Sequence, residues 1–168
     1  MTEDRQPRPV SRSSSELIRW MSIQDANSAG FVHGGVVMKL VDEVAGLAAV
    51  RHARQRVVTA GADRMTFMQP IHVGEVVTLS ASVNAAWNTS MEVGIRVEAE
   101  SPRTGVVRHT NTAYLTMVAV DDDGRPSAVP ALEPGTPDEV RRESEAQLRR
   151  SNRLTEREQI VAQRGREG

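Results

Sequence analysis

The sequence predicts an α+β domain in which a curved antiparallel sheet encloses one long helix. A single helix-length stretch carries apolar residues at helical spacing over a wide stripe. The segments that follow it have strand-like patterns and are separated by short turns. Because the helix is apolar on too many sides for an exposed position, we expect the sheet to wrap around it.

The chain before the helix divides into a polar segment and a short apolar one. Residues 1–15 are rich in Pro, Arg and Ser, and we expect them to form a disordered tail. Large apolar side chains recur over 16–23, which is expected to be a first strand. A loop over 24–35 follows, and the predicted helix runs over 36–52.

Strands after the helix are indicated by apolar and polar residues that alternate with a period of two. They are expected over 57–67, 74–87, 91–100 and 106–120. Aromatic residues make up only 3% of the chain, so the core of a single sheet would be thin. We therefore expect at least a homodimer, in which two sheets pair and bury more surface.

The C-terminal part is expected to be a Pro-rich linker followed by a charged, solvated helix that frays towards Gly165. Asp138/Arg142 and Glu145/Arg149 have the i,i+4 spacing of helix ion pairs. The predicted division is a tail over 1–15, a folded domain over 16–132, and a linker with a charged helix over 133–168.

Composition excludes several classes of function. The net charge is −1, so the overall charge of the chain does not favour binding to nucleic acid. With 0 Cys there is no disulfide framework, thiolate metal site or cysteine nucleophile. The apolar runs are far shorter than the roughly 20 residues that span a bilayer. No secretory signal pattern opens the sequence, and a cytoplasmic protein without a membrane partner is expected.

The start of the predicted helix has the chemistry of an oxyanion site. Gly34 and Gly35 lack side chains, so backbone N–H groups there can approach a ligand oxygen closely. The positive end of the helix dipole favours negative charge at the same place. We therefore expect Gly34 and Gly35 to bind an oxygen atom of a substrate.

Two carboxylates, Asp42 and Glu43, lie about two turns further along this apolar helix. A buried charge must be paired or lose its proton, so we expect at least one of them to be used. Asp42 shares a face with Gly35 and Gly46, and these glycines leave room for a substrate. Lys39 can hold Glu43 as an i,i+4 ion pair. Asp42 is thus the candidate working carboxylate. The alternative is that both carboxylates reach solvent at a dimer groove.

Three other polar features have two interpretations each. Asn27 fits a turn that its own side chain stabilises, or a substrate contact. His33 fits a helix N-cap or a group that polarises a carbonyl. The turn Asn88-Thr89-Ser90-Met91 fits a plain hairpin, or a set of hydroxyl and N–H groups that bind phosphate or pantetheine amides. No histidine has the spacing of a metal site, and no G-x-S-x-G or nucleotide P-loop pattern occurs.

Taken together, these motifs resemble the cytosolic acyl-CoA hydrolase branch of the hotdog-fold acyl-CoA thioesterases. The resemblance covers about residues 16–132, and its blocks occur in the same order. They are Asp25-Ala26-Asn27, His33-Gly34-Gly35, the run from Met38 to Gly46, Arg51-His52, Val58-Thr59-Ala60, Phe67-x-x-Pro70-Ile71, Gly74-Glu75, Thr89-Ser90-Met91-Glu92-Val93, Met117-Val118-Ala119-Val120 and Val129-Pro130.

The family resemblance implies a hotdog fold, in which a five- or six-stranded antiparallel sheet wraps a long central helix. It implies a homodimer with active sites at the protomer interface, which many bacterial members assemble further into a trimer of dimers. Asn27 of one protomer and Asp42 of the other are the implied catalytic pair. CoA is implied near Thr89 and Ser90. This chain has Trp87-Asn88 where the family often has a basic residue, so the turn lacks a cation for a phosphate.

The resulting prediction is an enzyme that hydrolyses fatty acyl-CoA to free fatty acid and CoA. The carbonyl oxygen is expected to contact Gly34, Gly35 or both. Asp42 is expected to act as general base or nucleophile, and Asn27 to orient the water or the carbonyl. No cofactor is expected besides the CoA of the substrate, and no metal or nucleic acid.

Two other classes of function are compatible with parts of the same sequence. A hotdog enoyl-CoA hydratase or dehydratase is the alternative, with His33 and Asp42 as its acid–base pair. A transcriptional acyl-CoA sensor is not favoured, because the polar N-terminal tail is too short for a DNA-binding domain.

Overall fold

The structure, a computed structural model, describes residues 6–164. A five-stranded antiparallel sheet curves around helix α1, which contacts all five strands. This is the predicted α+β arrangement. The strands are β1 (Arg8–Pro9), β2 (Ser15–Trp20), β3 (Arg56–Ala62), β4 (Val76–Ala86), β5 (Ser90–Ser101), β6 (Val106–Val120) and β7 (Leu132–Glu133); the helices are α1 (Gly34–Ala53) and α2 (Pro137–Arg164).

The strand order in the sheet is β2-β4-β5-β6-β3, so β2 and β3 form its edges. Strands β4, β5 and β6 lie where the alternation predicted them. Strand β3 is shorter than predicted, because it has a bulge between Thr59 and Gly61 and ends at Ala62. Beyond that point single backbone hydrogen bonds hold the segment to β6, as from Met68 N–H to the Thr110 carbonyl (3.1 Å).

Helix α1 and the concave face of the sheet form the core. The helix residues that face the sheet repeat at helical spacing, which is why this stretch is helical rather than extended. They are Val37, Leu40, Val41, Val44, Ala45, Ala48 and Ala49. Because the chain has few aromatic residues, Met21, Met91 and Met117 fill the larger gaps in the core.

The N-terminal segment is ordered from Gln6 onwards, so the predicted disordered tail over 1–15 is wrong for this part. Strand β1 pairs in parallel with β7. The buried Ser13 hydroxyl accepts a hydrogen bond from Val83 N–H (2.9 Å) on strand β4. Val10 is the one large apolar side chain of residues 6–15 that is buried, and hydrogen bonds supply the other contacts, which is why the composition suggested disorder. Residues 1–5 lie outside the described part of the chain.

The paired strands β1 and β7 lie beside the C-terminal end of α1, where His52 is fully buried. His52 Nε2 lies 3.0 Å from the Pro130 carbonyl oxygen, and the Arg8 guanidinium donates to the His52 carbonyl. Burial lowers the pKa of His52; the contact with Pro130 raises it, and the positive charge of Arg8 lowers it further. The predicted linker after Pro130 is therefore attached to the core rather than separated from it.

Helix α2 packs on the face of the sheet opposite to α1, whereas the sequence predicted a solvated helix. Glu92 on β5 points to this face and is 0% exposed, because α2 covers it. Arg149 Nη2 lies 2.7 Å from one oxygen of Glu92, and Arg153 Nη1 lies 3.3 Å from the other. Arg153 also binds Asp63 at 2.7 Å. A buried carboxylate with two arginines thus joins α2 to the sheet.

One of the two ion pairs predicted within α2 forms as expected. Arg149 Nη1 lies 3.9 Å from a Glu145 oxygen. The predicted pair of Asp138 with Arg142 is wrong. Asp138 lies 3.4 Å from Arg141, because Arg141 can contact Asp138 and Glu145 on the two adjacent turns. The predicted fraying at Gly165 lies outside the described residues.

The sheet leaves one side of α1 uncovered in the single chain. Met38, Leu47 and Val50 on this side are 53%, 47% and 41% exposed. Val58 on the neighbouring edge strand β3 is 49% exposed. Apolar side chains exposed together next to an unpaired strand edge are typical of a surface that another chain covers.

Replacing Arg149 with alanine is expected to destabilise the fold by about 3–5 kcal/mol, because it leaves the carboxylate of Glu92 buried without its main partner. The free energy of unfolding in urea measures the change. The matched control is Arg141→Ala on the same helix, whose ion-pair partners are exposed and whose effect should be far smaller. Equal effects of the two substitutions would contradict the central role of Glu92.

The lowered pKa of His52 predicts a loss of stability in mild acid. Below about pH 6.5 the unfolded chain binds a proton that the folded chain does not, so the free energy of unfolding falls by up to about 1.4 kcal/mol per pH unit. Unfolding measured between pH 7.5 and 5.5 tests this, and His52→Gln should flatten the dependence. His72→Gln, at an exposed histidine, should leave the slope unchanged.

Candidate active site

The loop before α1 is held by a capping box at a short 3₁₀ helix over Ile23–Asp25. The buried carboxylate of Asp25 accepts hydrogen bonds from the backbone and hydroxyl of Ser22, and lies 2.6 Å from Arg19. The backbone hydrogen bond lowers the pKa of Asp25; burial raises it, and the Ser22 hydroxyl and Arg19 lower it further. The Asp25 carbonyl accepts from His33 N–H (2.7 Å), which draws the two ends of the loop together.

Asn27 is fixed within this loop by its own side-chain oxygen. Its Oδ1 accepts from the backbone N–H groups of Ala29 (2.9 Å) and Phe31 (3.2 Å). The turn interpretation of Asn27 is therefore correct, and it does not exclude a substrate contact. Because Oδ1 is occupied, the side chain offers a ligand its Nδ2 amide, which makes no hydrogen bond within residues 6–164. Asn27 is thus a hydrogen-bond donor.

Asn27 and Gly34 line one cleft of about 330 Å³ at the start of α1. Phe31, Phe67 and Ile71 supply apolar walls. A Cβ atom at Gly34 would lie 3.3 Å from the Phe67 ring, so glycine lets this ring approach the helix start closely. Gly34 N–H has no acceptor among the described residues. Two free donors, one from the backbone and one from Asn27, are therefore available to this cleft.

Gly35 differs from Gly34, although the sequence predicted the same role for both. Its N–H donates to Nδ1 of His33 at 2.9 Å, which makes His33 the N-cap of α1. The N-cap interpretation of His33 is confirmed. Because its N–H donates to His33, Gly35 has no free backbone donor for a substrate oxygen. Of the two glycines, Gly34 is the one whose N–H is free to bind a substrate.

Asp42 lies on the uncovered side of α1 and is exposed. The Thr59 hydroxyl on β3 donates to its Oδ1 at 2.5 Å. Glu43 is also exposed and pairs with Lys39 at 3.7 Å, as the spacing predicted. Both carboxylates are therefore exposed, as in the alternative that the sequence left open, because Lys39, Asp42 and Glu43 lie on the side of α1 that the sheet leaves uncovered. Of the two acidic residues, Asp42 is the one whose carboxylate accepts a hydrogen bond from the sheet.

Thr59 belongs to the site but was not predicted as a site residue. It lies on edge strand β3 at the bulge, and its hydroxyl also lies 3.6 Å from Met117 Sδ. The available signal was a single hydroxyl in an apolar strand, within the block Val58-Thr59-Ala60 that carries the family resemblance. One threonine in a strand is too common to indicate a role without the contact to Asp42.

Asn27 and Asp42 do not meet within one chain. Asp42 lies eight positions after Gly34, which corresponds to roughly 12 Å along the helix. Asp42 does not line the cleft that contains Asn27 and Gly34. A site that uses both residues therefore needs a second chain beside the uncovered side of α1.

The turn between β4 and β5 is held by backbone hydrogen bonds on three sides. Trp87 N–H donates to the Ser90 carbonyl (2.8 Å), and the Thr89 carbonyl accepts from Ala119 N–H (3.0 Å). Asn88 accepts through its carbonyl from Val129 N–H (2.9 Å). Thr89 and Ser90 are half-buried, and both keep a hydroxyl at the turn. The hairpin interpretation is correct. The hydroxyls of Thr89 and Ser90 are also compatible with the other interpretation, a turn that binds phosphate or pantetheine amides.

Residues 6–164 contain no cluster of three or more His, Asp or Glu side chains that could hold a metal ion. His109 contacts the Asn111 carbonyl (2.8 Å) and the Thr112 hydroxyl (2.9 Å), and His72 packs edge-on against Phe31. Neither helix of the described chain is long and apolar enough to cross a membrane.

Known proteins with similar sequences and folds identify the family. A family model described as the thioesterase superfamily matches residues 29–106. The solved structure of an apo-hexameric acyl-CoA thioesterase superposes with a TM-score of 0.87 at 39% identity, covering 90% of this chain and 97% of that one. The chain belongs to the hotdog-fold acyl-CoA thioesterases. The resemblance drawn from the sequence and the hotdog fold are thereby confirmed.

Two further acyl-CoA thioesterases give the extent of the similarity. The cytosolic acyl coenzyme A thioester hydrolase of Mus musculus is 39% identical over 146 residues, which are 86% of this chain. Those residues are 38% of the mouse protein, so the chain spans less than half of that relative. The acyl-CoA hydrolase of Staphylococcus aureus has been solved with butyryl coenzyme A, coenzyme A and coenzyme A disulfide. It is 32% identical with a TM-score of 0.83, and the match covers 92% of this chain and 96% of that one. Its structures include variants with alanine in place of an asparagine, an aspartate or a threonine.

Proposed function

We propose that this thioesterase hydrolyses fatty acyl-CoA to a free fatty acid and CoA. The observation that carries the proposal is the position of Asp42, an exposed carboxylate that Thr59 holds on the open side of α1. Relatives that share the fold bear the name acyl-CoA thioesterase or hydrolase, and one of them is solved with butyryl coenzyme A. Its alanine variants replace an asparagine, an aspartate and a threonine, the residue types of Asn27, Asp42 and Thr59.

The proposed reaction uses Asp42 as a general base. Its free oxygen takes a proton from a water molecule, and the oxygen of that water forms a bond with the thioester carbon. The C–S bond then breaks, and the sulfur leaves as the thiolate of CoA, which takes up the proton. Alternatively, Asp42 acts as a nucleophile: its oxygen bonds to the thioester carbon, the C–S bond breaks to release the thiolate, and water hydrolyses the resulting acyl anhydride to the fatty acid and the free carboxylate. Thr59 fixes Oδ1, so the second oxygen has a defined direction.

Hydrogen-bond donors at the start of α1 are proposed to stabilise the negative charge on the oxygen of the tetrahedral intermediate. Gly34 N–H and the Asn27 amide line the cleft and have no acceptor within residues 6–164, and the helix dipole adds positive potential there. A preorganised donor of this kind contributes about 2.7–4 kcal/mol to transition-state binding. The acyl chain is assigned to the apolar part of the same cleft, next to Phe67 and Ile71.

The two halves of the site are proposed to come from opposite protomers of a homodimer. The apolar side of α1 and the free edge of β3 provide a surface for the second copy. Such a dimer would bring Asp42 of one protomer to the loop of Asn27 in the other. A hexamer, as in the related apo-hexameric thioesterase, would be a trimer of these dimers. CoA is placed near Thr89 and Ser90, and the enzyme needs no cofactor besides its substrate. A cytosolic location is proposed from the name of the mouse relative.

Product analysis distinguishes this proposal from the hydratase alternative. Release of free thiol from acyl-CoA is expected, with no interconversion of enoyl and 3-hydroxyacyl thioesters. The geometry gives the alternative little support, because His33 contacts Gly35 N–H and Asp42 contacts Thr59, and the two do not contact each other within residues 6–164.

Removing the carboxylate of Asp42 should abolish most turnover in a folded protein. Asp42→Ala is expected to lower kcat by about 10²–10⁴, the usual contribution of a general base. Asn27→Ala is expected to lower it by about 10²–10³ through the loss of an oxyanion donor. Glu43→Gln is the matched control, because it changes the adjacent carboxylate and should leave thiol release unchanged. Near wild-type turnover by either alanine variant would contradict the assignment.

Co-expression of Asn27→Ala and Asp42→Ala chains tests whether the site crosses the dimer interface. Each mixed dimer would contain one intact site and one site with both substitutions. If the chains pair at random, about a quarter of wild-type activity should return, because half of the dimers are mixed and each has one working site of two. Differently tagged chains allow the mixed dimer to be isolated and assayed. An inactive mixed dimer would mean that both residues act within one chain.

A further inference from the structure

Helix α2 contains more arginine than its docking onto the sheet uses. Arg149 and Arg153 bind Glu92, and Arg153 also binds Asp63. Arg150 lies between these two in sequence, and no carboxylate within residues 6–164 forms an ion pair with it. Arg150 is half-buried, and its positive charge has no carboxylate partner among these residues, so it is available to an anionic ligand.

The turn between β4 and β5 holds Arg150 in place. The guanidinium carbon lies 4.3 Å from the centroid of the Trp87 ring, and Nη1 lies 3.4 Å from the Ser90 hydroxyl. Trp87 is itself fixed, because its Nε1 donates to Gln147 Oε1 on α2 at 2.9 Å. A cation–π contact and a hydroxyl thus restrict the guanidinium to one place.

The same turn has no cation of its own. Its residues are Trp87, Asn88, Thr89 and Ser90, which offer two hydroxyl groups but no positive charge. Arg150 reaches this turn from a different element of the fold. The guanidinium and the hydroxyls together form a donor set suited to a phosphate group, for which the planar fork of arginine is well adapted.

We propose that Arg150 binds a phosphate group of the CoA moiety and replaces the basic residue that the turn lacks. Trp87 is assigned as its positioning residue, since a guanidinium that is already oriented loses less side-chain freedom on binding. This inference rests on the proposed function, because it assigns the CoA end of the same substrate.

The register of the sheet agrees with this assignment. Ser90 pairs with Val118 of β6, and Val118 pairs with Val58 of β3, the neighbour of Thr59. The turn therefore lies two strands from β3, or roughly 10 Å across the sheet, with Ser90 on the α2 face and Thr59 on the α1 face. The pantetheine arm of CoA, which joins the thioester to the phosphates, would pass the free edge of β3 between Asp42 and the turn.

Steady-state kinetics with two substrates test the proposal. Arg150→Ala should raise KM for an acyl-CoA about tenfold, the factor expected for one charge-assisted hydrogen bond, with kcat unchanged. The same variant should hydrolyse the acyl-pantetheine thioester, which lacks the nucleotide, as the wild-type enzyme does. Arg150→Lys keeps the charge and should recover part of the affinity. Arg157→Ala removes an arginine of α2 that is exposed and does not contact the turn, and it should leave the hydrolysis of both substrates unchanged.

An equal loss of activity towards both substrates would mean that Arg150 only supports the fold, and would overturn the proposal. Unchanged kinetics towards both would overturn it as well. Calorimetry with free CoA separates this proposal from the proposed function. If the wild-type chain binds CoA and Arg150→Ala weakens that binding about tenfold, the phosphate assignment stands even without thioester hydrolysis. Calorimetry with dephospho-CoA identifies the phosphate: an effect that disappears assigns the 3′-phosphate, and one that persists assigns the diphosphate.

Discussion

A curved sheet of five strands can cover only one side of a helix, and the architecture of this thioesterase follows from that constraint. The covered side of α1 is a continuous row of small and medium apolar residues, from Val37 to Ala49. The uncovered side mixes Met38 and Leu47 with the charged residues Lys39, Asp42 and Glu43. Burying the apolar part requires another chain. The same surface is where a carboxylate can remain solvated until a substrate arrives, so the proposed assembly and the proposed chemistry share one face of the helix.

The main elements of the fold could be predicted because their signals are local. Alternation identified β4, β5 and β6, and helical spacing identified α1. Features that depend on distant partners were missed. Glu92 alternates as a solvent-facing residue should, yet it is buried because α2 returns over the sheet and supplies Arg149. The N-terminal segment has few apolar residues and is nevertheless ordered, since its backbone pairs with β7. Neither contact can be inferred from periodicity, which describes one segment at a time.

Prediction of the site had the same limit. Asn27, Gly34 and Asp42 were selected from residue type, spacing and family resemblance. The structure adds that Asn27 and Gly34 share a cleft and that Asp42 lies outside it. The difference between Gly34 and Gly35 could not be predicted, because it depends on the direction of the His33 ring. Thr59 gave no distinct signal, since its role follows from a single contact between β3 and α1.

A site shared between two chains, as proposed, would also make catalysis depend on protein concentration. If a complete site needs Asn27 from one copy and Asp42 from another, a lone chain holds two half-sites that cannot act on each other. Dilution below the dissociation constant of the dimer would then extinguish turnover without unfolding any chain. A newly synthesised chain would be inert towards thioesters until it meets a second one. The cell could thus set the onset of hydrolysis by the amount of chain it accumulates.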